Sequence, residues 1–598
     1  MVSRRIFFSI CVMMATILAL FMFSLLVQDL TNEYDVNIYL TETELTRESE
    51  WNELMADGST QTVLYIGGKD DAAAGIIRQW CGYTKRRFTQ CDSLEDYIRP
   101  DGGDSVLLCL TGEAVTTTGQ ADTLSAMVEA GQNVLFCDVP KAERLKQLPE
   151  LQSLLGIQEV VQEQVKLTGI RLFSGFFLGG EVIYSMEDEE ETPGQESSLS
   201  ALWYLRRSGT KVYMVGMLAD EEIENEELPP LIWRSSYGSG RVFVVNGPYM
   251  RDETGLGILS AALYELQDYE LYPVVNAQNL SVANFPNFAL ENAEAITEFY
   301  SRDMRQLQMD LIWPHLIAAA NSGNYQMTCF LAPRLDYSAV DNQQMNDLAF
   351  YLRQFRGQSS EAGLSLDHLP GVSLEEKLTS DQAFFYFTSS AYSYSAAYVD
   401  GGEMEAFLAA DPQKILENIR TVTGVWDDAD LLSYCTDTTV AQGVTADGFT
   451  HNFRQDLRIR AIETTLAYSN ILLDMKQVSW PEDSDPHWEV LYDSFSSNIN
   501  TYWEPYAAFE KTTLTESDER VRAFLAANYR DVRQGDAVTV EGTNGNQWFL
   551  LRTHGEAVTG LIGGDYVEIE EDVYLIHALR QNLRIELETR RNSQYYLP

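Results

Sequence analysis

The stretch from Ile6 to Val27 constrains the chain most, because it is apolar and carries no charge along its whole length. At about 1.5 Å of rise per residue, a helix of this length crosses a hydrocarbon core of about 30 Å. Arg4 and Arg5 precede it, and Asp29, Glu33 and Asp35 follow it. Basic flanks stay in the cytoplasm, so the remainder of the chain is expected outside. A cleaved signal peptide has an apolar region of only about 7–15 residues and a small-residue cleavage site, and no clear A-x-A follows here. The expectation is a cell-membrane protein with a cytoplasmic N-terminus over residues 1–5, a single-pass transmembrane helix over 6–27, a juxtamembrane linker over 28–60 and an extracytoplasmic bulk.

With 598 residues the chain has room for three or four domains, each with its own core. A hydrophobic content of 45% with 31 tyrosines excludes a disordered stalk. Against 42 Lys and Arg stand 89 Asp and Glu, a formal net charge of −47. So acidic a surface disfavours nucleic acid and anionic lipid as partners, since both require neutralising cations. It is compatible with a cationic polymer, and equally with charge that only keeps the chain soluble. Seven cysteines without a C-x-x-C make neither a disulfide framework nor a zinc knuckle. Cys11 lies in the apolar stretch, Cys109 and Cys137 lie in strand-like runs, and Cys81 with Cys91 form a candidate disulfide.

Residues 61–275 alternate short apolar strands with helical segments. Thr62 to Gly68, Ser105 to Gly112 and QNVLFCDVP read as buried strands, and Ala72 to Cys81 and Asp122 to Gly131 as helices, the second ending at a glycine. Gly240 to Tyr249 returns as a strand before a helical pattern over Gly255 to Leu266. Continuous apolar strands between helices indicate a parallel sheet covered on both faces. EAGQNVLFCDVP and WRSSYGSGRVFVVNGP resemble the glutamine-amidotransferase-like, flavodoxin-type domains. Enzymes of that class need a cysteine on a strand-to-helix elbow with a histidine base. No histidine precedes His315, so this half reads as a binding or spacer domain. Gly67-Gly68 and Gly179-Gly180 lack any phosphate-loop pattern, and the acidic run Glu187 to Glu191 reads as a solvated loop.

Residues 285–530 begin with helical periodicity over Leu290 to Ala320, with a break expected at Trp313-Pro314. QMTCFLAPRLDY is a strand that stops at Pro333 and delivers Asp336 beyond it. Ala362 to Leu366, Ala383 to Ala391, Asp430 to Thr436 and Ser469 to Val478 carry further strand signals, and Gly402 to Val422 and Asp456 to Tyr468 have helical spacing. This alternation suggests a β/α barrel with its chemistry on the loops after the strands.

LAPRLDY, LSLDHLPG, TADGFTHNFRQDLRIRAIETTLAYSN and TESDERVRAFLAANY resemble the polysaccharide-deacetylase superfamily, in particular the membrane-anchored deacetylase-like proteins of Pel-type exopolysaccharide loci. The resemblance implies a divalent metal such as zinc, held by an aspartate and two histidines in H-x-x-x-H spacing, which polarises an acetamide carbonyl and activates a water. The nearest match is His451-Asn452-Phe453-Arg454-Gln455, with Gln455 where the second histidine belongs. An amide is a poor replacement for imidazole at zinc, and Asp336 lacks the aspartate neighbour of the family's pair. Three readings follow: a degenerate barrel that still grips sugar, an active site recruiting Asp336, His451 and a distant His368 or His487, or an ordinary loop His451 with Asp336 as a cap before Ser338.

Aromatic clusters favour sugar binding, because flat rings with polar tips suit pyranose stacking. Tyr386, Tyr392, Tyr394, Trp488 and Trp503 are the candidate substrate-binding residues, although Trp488 and Trp503 also have the spacing of core residues. Residues 531–598 alternate in strand fashion and read as a β-rich module; His554 and His577 within it have no ligand-spaced partners. The expected protein is α/β: a transmembrane helix, a flavodoxin-like parallel-sheet domain, a deacetylase-like β/α barrel and the β-rich module. Its expected role is to bind polysaccharide, a cationic amino-sugar polymer among the candidates, in exopolysaccharide synthesis or export, beside a glycosyltransferase or multispanning export partner. No cofactor is expected, and zinc enters only under the alternative of an active de-N-acetylase. A scaffold without catalysis is the second alternative.

Overall fold

The computed structural model describes residues 13–14, 61–97, 105–185, 200–219, 223, 226–338, 345–388, 393–409, 415–426, 430–481, 485–542 and 545–590. Its first strands are β1 (Thr62–Ile66), β2 (Arg87–Cys91), β3 (Ser105–Leu110), β4 (Val134–Phe136), β5 (Ile157–Lys166), β6 (Gly169–Leu172), β7 (Val182–Ser185), β8 (Ser200–Arg206), β9 (Lys211–Met217), β10 (Pro230–Tyr237) and β11 (Gly240–Val245). Nine of them form one sheet in the order β2-β1-β3-β4-β11-β10-β9-β6-β7. The first five of that order run parallel. The last four add an antiparallel extension that the apolar pattern did not signal.

After β12 (Tyr269–Val274), the second sheet takes β13 (Ala277–Ala283), β14 (Met327–Leu331), β15 (Glu361–Ser365), β16 (Ala396–Tyr398), β17 (Thr421–Gly424), β18 (Leu432–Tyr434), β19 (Val440–Gly443), β20 (Ala446–Asp447), β21 (Tyr468–Asp474) and β22 (Lys511–Thr512). Their order is β18-β19-β17-β16-β15-β14-β13-β21-β20, with β22 also on β13. The sheet is a half-barrel by its ladders: β19 pairs with β17 and β20 with β21, but β19 and β20 do not pair with each other. They follow one another in the chain instead, joined by Val444, which donates to Gly424 O, and Thr445, which donates to Asn470 O. Inside the curve lies a polar layer in which Ser281 Oγ donates to Asn470 Oδ1 (2.8 Å), Asn470 Nδ2 to Thr423 Oγ1 (2.7 Å) and Gln442 Nε2 to Thr421 Oγ1 (2.8 Å). Ala283, Phe330, Ala396, Tyr398, Val444 and Leu472 form an apolar cluster of their own in the same sheet.

The remaining strands are β23 (Arg530–Gln534), β24 (Ala537–Glu541), β25 (Gln547–Thr553), β26 (Glu556–Ile562), β27 (Gly564–Glu570), β28 (Val573–Ala578) and β29 (Asn582–Thr589). They make two four-stranded sheets, one of which is completed by β12. The C-terminal module therefore borrows a strand from ahead of the half-barrel.

The two large halves share a core. One apolar cluster runs from Val63 through Ala262 and Ala277 to Phe453, Ala461 and Phe524. At its centre the helix Thr254–Tyr264 lies against the helix Phe453–Leu466, so close that a Cβ on Gly257 would stand 2.6 Å from Ala461 Cα. Asp456 on the second helix accepts from Arg460 Nε (3.0 Å) and from the Tyr184 hydroxyl, and Arg458 Nε reaches Glu253 Oε2 at 2.8 Å.

Several expectations are corrected. The architecture is mixed α/β with a half-barrel sheet and interlocked parts, in place of a transmembrane helix followed by separate domains. No described helix is long and apolar enough to cross a membrane. The single-pass anchor and the membrane localisation built on it are set aside accordingly; of residues 6–27 only Met13 and Met14 are described, and both are exposed. The run over Ala383 to Ala391, expected as a strand, belongs to the helix Leu374–Thr388 up to Thr388. Its start explains the difference: Ser373 and Glu376 bond reciprocally as a capping box, and Lys377 pairs with Asp381 one turn on at 2.5 Å. Among the described residues of Gly402 to Val422, only Met404–Ala409 is α-helical, and Thr421 onward is β17. The break expected at Trp313 is a π-helical turn, Gln308–Ile312, running into the helix Trp313–Gly323; its wider turn stands just ahead of Pro314, which lacks an N–H to bond back. Cys81 and Cys91 are both free, on a helix and at the end of β2. The acidic run Glu187 to Glu191 lies outside the described residues.

Gly257→Val places two methyl groups against the Ala461 backbone. It is expected to destabilise the whole chain by about 1–3 kcal/mol, read as a lower urea midpoint for both halves together; two separated transitions with only one shifted would contradict the shared core.

Candidate functional site

The carboxyl ends of the half-barrel strands gather one polar cluster. Asn284 follows β13 in a left-handed conformation, φ 59°, which asparagine tolerates. Asp367 stands two residues beyond β15, and Asp474 closes β21. Lys476 opens the short helix Lys476–Ser479. Asn284 Nδ2 donates to both carboxylates, to Asp474 Oδ1 at 2.8 Å and Asp367 Oδ2 at 3.0 Å. Ser365 Oγ donates to Asn284 Oδ1 at 2.6 Å, which turns the amide so that its NH₂ faces the acids. Lys476 Nζ lies 2.8 Å from Asp367 Oδ1, and its backbone N donates to Asp474 Oδ1 at 2.9 Å.

Burial and the neighbouring Asp367 push the Asp474 carboxyl up to about 6, against the hydrogen bonds from Lys476 N and Asn284. Lys476 is held above the usual ammonium range: burial lowers it, but Asp367, Asp474 and Asp400 together raise it more. Tyr398 is buried, and its phenol is pushed up by burial and by the carboxylates of Asp474, Asp400 and Asp367. The result is one carboxyl raised by burial beside one in ion-pair contact with an ammonium.

A zinc ion held by an aspartate and two histidines does not fit these residues. Among the described residues no three His, Cys, Asp or Glu side chains converge to hold a metal. His368 is next in sequence to Asp367, but its Nδ1 lies 3.2 Å from Leu366 O and its Nε2 3.1 Å from Val372 O, so both nitrogens face carbonyl oxygens. Each of the six histidines packs on an aromatic ring: His315 on Tyr492, His368 on Tyr337, His451 on Tyr502, His487 on Phe299, His554 on Tyr264 and His577 on Trp548.

Asp336 and His451 sit in different surroundings. Asp336 Oδ1 accepts from Ser338 N (2.9 Å) and Oγ (2.6 Å), and its own N donates to Glu291 Oε2. His451 is exposed, its ring centroid 5.5 Å from that of Tyr502. The strands they follow, β14 and β20, are three strand steps apart, each about 4.8 Å. Gln455 donates to Asp447 O and receives the Asn452 cap. Trp488 and Trp503 are buried between helix and sheet, with indole N–H groups on His315 Nδ1 (3.1 Å) and Ser469 Oγ (2.9 Å). Tyr394 is buried in the same core, Tyr386 falls on the helix Leu374–Thr388, and Tyr392 lies outside the described residues. None of the mouth residues Asn284, Asp367, Asp474 and Lys476 was singled out from the sequence. A signal existed: LSLDH and LLDMK each put an aspartate at the carboxyl end of an apolar run.

In the first half, a crevice of about 620 Å³ lies outside the carboxyl ends of β1, β3, β4 and β11, with Asp71, Asp138 and Arg251 on its walls. Cys137 lines it, but burial and Asp138 push that thiol well above the ordinary range, which makes it a poor nucleophile.

Residues 177–366 match the model of a family described as an uncharacterised protein conserved in bacteria, DUF2194. The matched segment crosses from the first half into the half-barrel as far as β15. No curated protein matches the chain. Among solved structures it is similar to Agd3, a novel carbohydrate deacetylase, at 10% identity and a TM-score of 0.49 over 89% of this chain and 99% of that one. It is also similar to the exo-β-1,4-mannosidase Op5Man5 of Opitutaceae bacterium strain TAV5 (14%, TM-score 0.23, 35% of this chain and 36% of that one) and to a β-galactosidase of Bacillus circulans sp. alkalophilus (10%, TM-score 0.23, 36% and 33%). Identities and TM-scores this low assign no activity.

The raised Asp474 makes stability depend on pH. The folded chain holds this proton more tightly than the unfolded one, so its contribution is full below about pH 4 and is lost as pH rises through about 6. Thermal melts should show about 1–3 kcal/mol of such loss between pH 4 and 7, and Asp474→Asn should flatten that slope; an unchanged slope would show that other groups carry it.

Proposed function

We propose that this chain binds exopolysaccharide, the Pel-like class that its sequence resemblance implies, at the mouth of the half-barrel. The observation that carries the reading is the Asn284 amide bridging Asp367 and Asp474 with Lys476 alongside. Loops at the carboxyl ends of β/α strands are where such folds place ligands, and convergent donors and acceptors of fixed orientation suit the hydroxyl-rich rim of a sugar. The net charge of −47 adds long-range attraction for a polymer that is partly cationic. Aromatic stacking gives less support than the sequence promised, because Trp488, Trp503 and Tyr394 are buried. Metal-dependent de-N-acetylation, the alternative, demands a ligand set that these residues do not supply.

Sedimentation of the purified protein with insoluble and partly de-N-acetylated amino-sugar polymers at low salt tests the proposal. Asp367→Asn removes the carboxylate that orients Asn284 and Lys476, and binding is expected to weaken about tenfold, roughly 1.4 kcal/mol. Full retention by that variant, or none by the wild type on any polymer, would remove the mouth from consideration.

A further inference from the structure

Two carboxylates at one strand mouth need a proton or a counter-charge, and this site supplies both from its own chain. Burial raises the Asp474 carboxyl to about 6, so it holds a proton over a wider pH range, and Asp367 takes the ammonium of Lys476, at 2.8 Å. Donors of the chain already cover three of the four carboxylate oxygens that a metal would need. Asp474 Oδ1 receives Asn284 Nδ2 and Lys476 N, Asp367 Oδ2 receives Asn284 Nδ2, and Asp367 Oδ1 receives Lys476 Nζ. A divalent ion would have to displace an ammonium and reverse an amide that Ser365 holds in place.

Lys476 is also the part of the cluster that reaches water. Its side chain is 31% exposed, against 5% for Asp367. An ammonium has three donors, and Asp367 is the one hydrogen-bond acceptor its Nζ meets among the described residues. The remaining donors are available to an incoming acceptor.

We propose that Lys476 is the resident cation of the mouth, and that it grips an acceptor oxygen of a neutral sugar unit, a hydroxyl or an acetamide carbonyl. An ammonium only donates, so a protonated glucosamine nitrogen offers Lys476 no acceptor, whereas a hydroxyl or an acetamide carbonyl does. The sugar part of this inference rests on the polysaccharide-binding reading; the cation part does not.

Zinc titration of the chelator-treated wild type, followed by calorimetry, decides the cation part without any glycan. The expected result is no one-to-one uptake that Asp367→Asn removes; saturable uptake abolished by that substitution would overturn the assignment. For the sugar part, Lys476→Met keeps the length of the side chain and discards its charge. It is expected to weaken binding of a fully N-acetylated oligomer at least tenfold, and Lys476→Arg to restore part of it. The wild type is expected to prefer that oligomer over its fully de-N-acetylated counterpart. Unchanged binding by Lys476→Met, with an unchanged melting temperature, would overturn the sugar part. If no polymer binds the wild type, the polysaccharide reading falls with it, while the zinc titration still decides whether Lys476 fills the cation position.

Discussion

The helix Phe453–Leu466 is buried on nearly every face although many of its side chains are polar, and the rest of the molecule is arranged around satisfying it. An unpaired charge in such a place costs several kcal/mol. Asp456 therefore has Arg460 and Tyr184, Arg460 Nη1 donates to Gly179 O, and Thr464 Oγ1 receives the amide of Leu178. Those partners come from the antiparallel extension of the first sheet and the loop beside it. The close approach at Gly257 and Ala461 completes the fit with a contact that tolerates no side chain. The helix is thus a joint between the two halves, and Asp456, Arg460 and Thr464 on it are accounted for by packing.

The mouth follows from different physics. Strands β13, β15 and β21 end at one level, and polar residues just past each end meet because the sheet curls. Asn284 is the organising group: one amide holds two acids apart from each other and together in space, and Ser365 fixes which way it points. Lys476 and Asp474 belong to one turn of chain, so the ion pair with Asp367 ties β21 to β15 across β13 and β14.

Much of the first sheet was legible from the sequence, since fully buried parallel strands are continuous apolar runs and β1, β3, β4 and β11 have that form. The antiparallel strands β6 and β7 were not read, being only four residues each; β9 carries an apolar run, KVYMVGM, that was a usable signal. In the half-barrel the sequence misled where an apolar run met a strong helix start, as at Ser373 and Glu376 ahead of Phe384. The candidate site was missed for a further reason. Histidine spacing is a local signal, whereas the residues that converge are an asparagine, two aspartates and a lysine spread from 284 to 476, and only the strand order brings them together. Asp336 and His451 drew attention because each follows a strand, but β14 and β20 lie on opposite sides of the β13–β21 pair.

A helix enclosed on both sides has a consequence for the history and behaviour of the chain. Neither half can leave without exposing Ala461, Leu457 and the Asp456–Arg460 pair to water, and β12 ties the C-terminal sheets into the same arrangement. The topology changes near residues 275 and 285, yet the apolar core runs on across them, from Leu263 to Val275, Ala277 and Phe453.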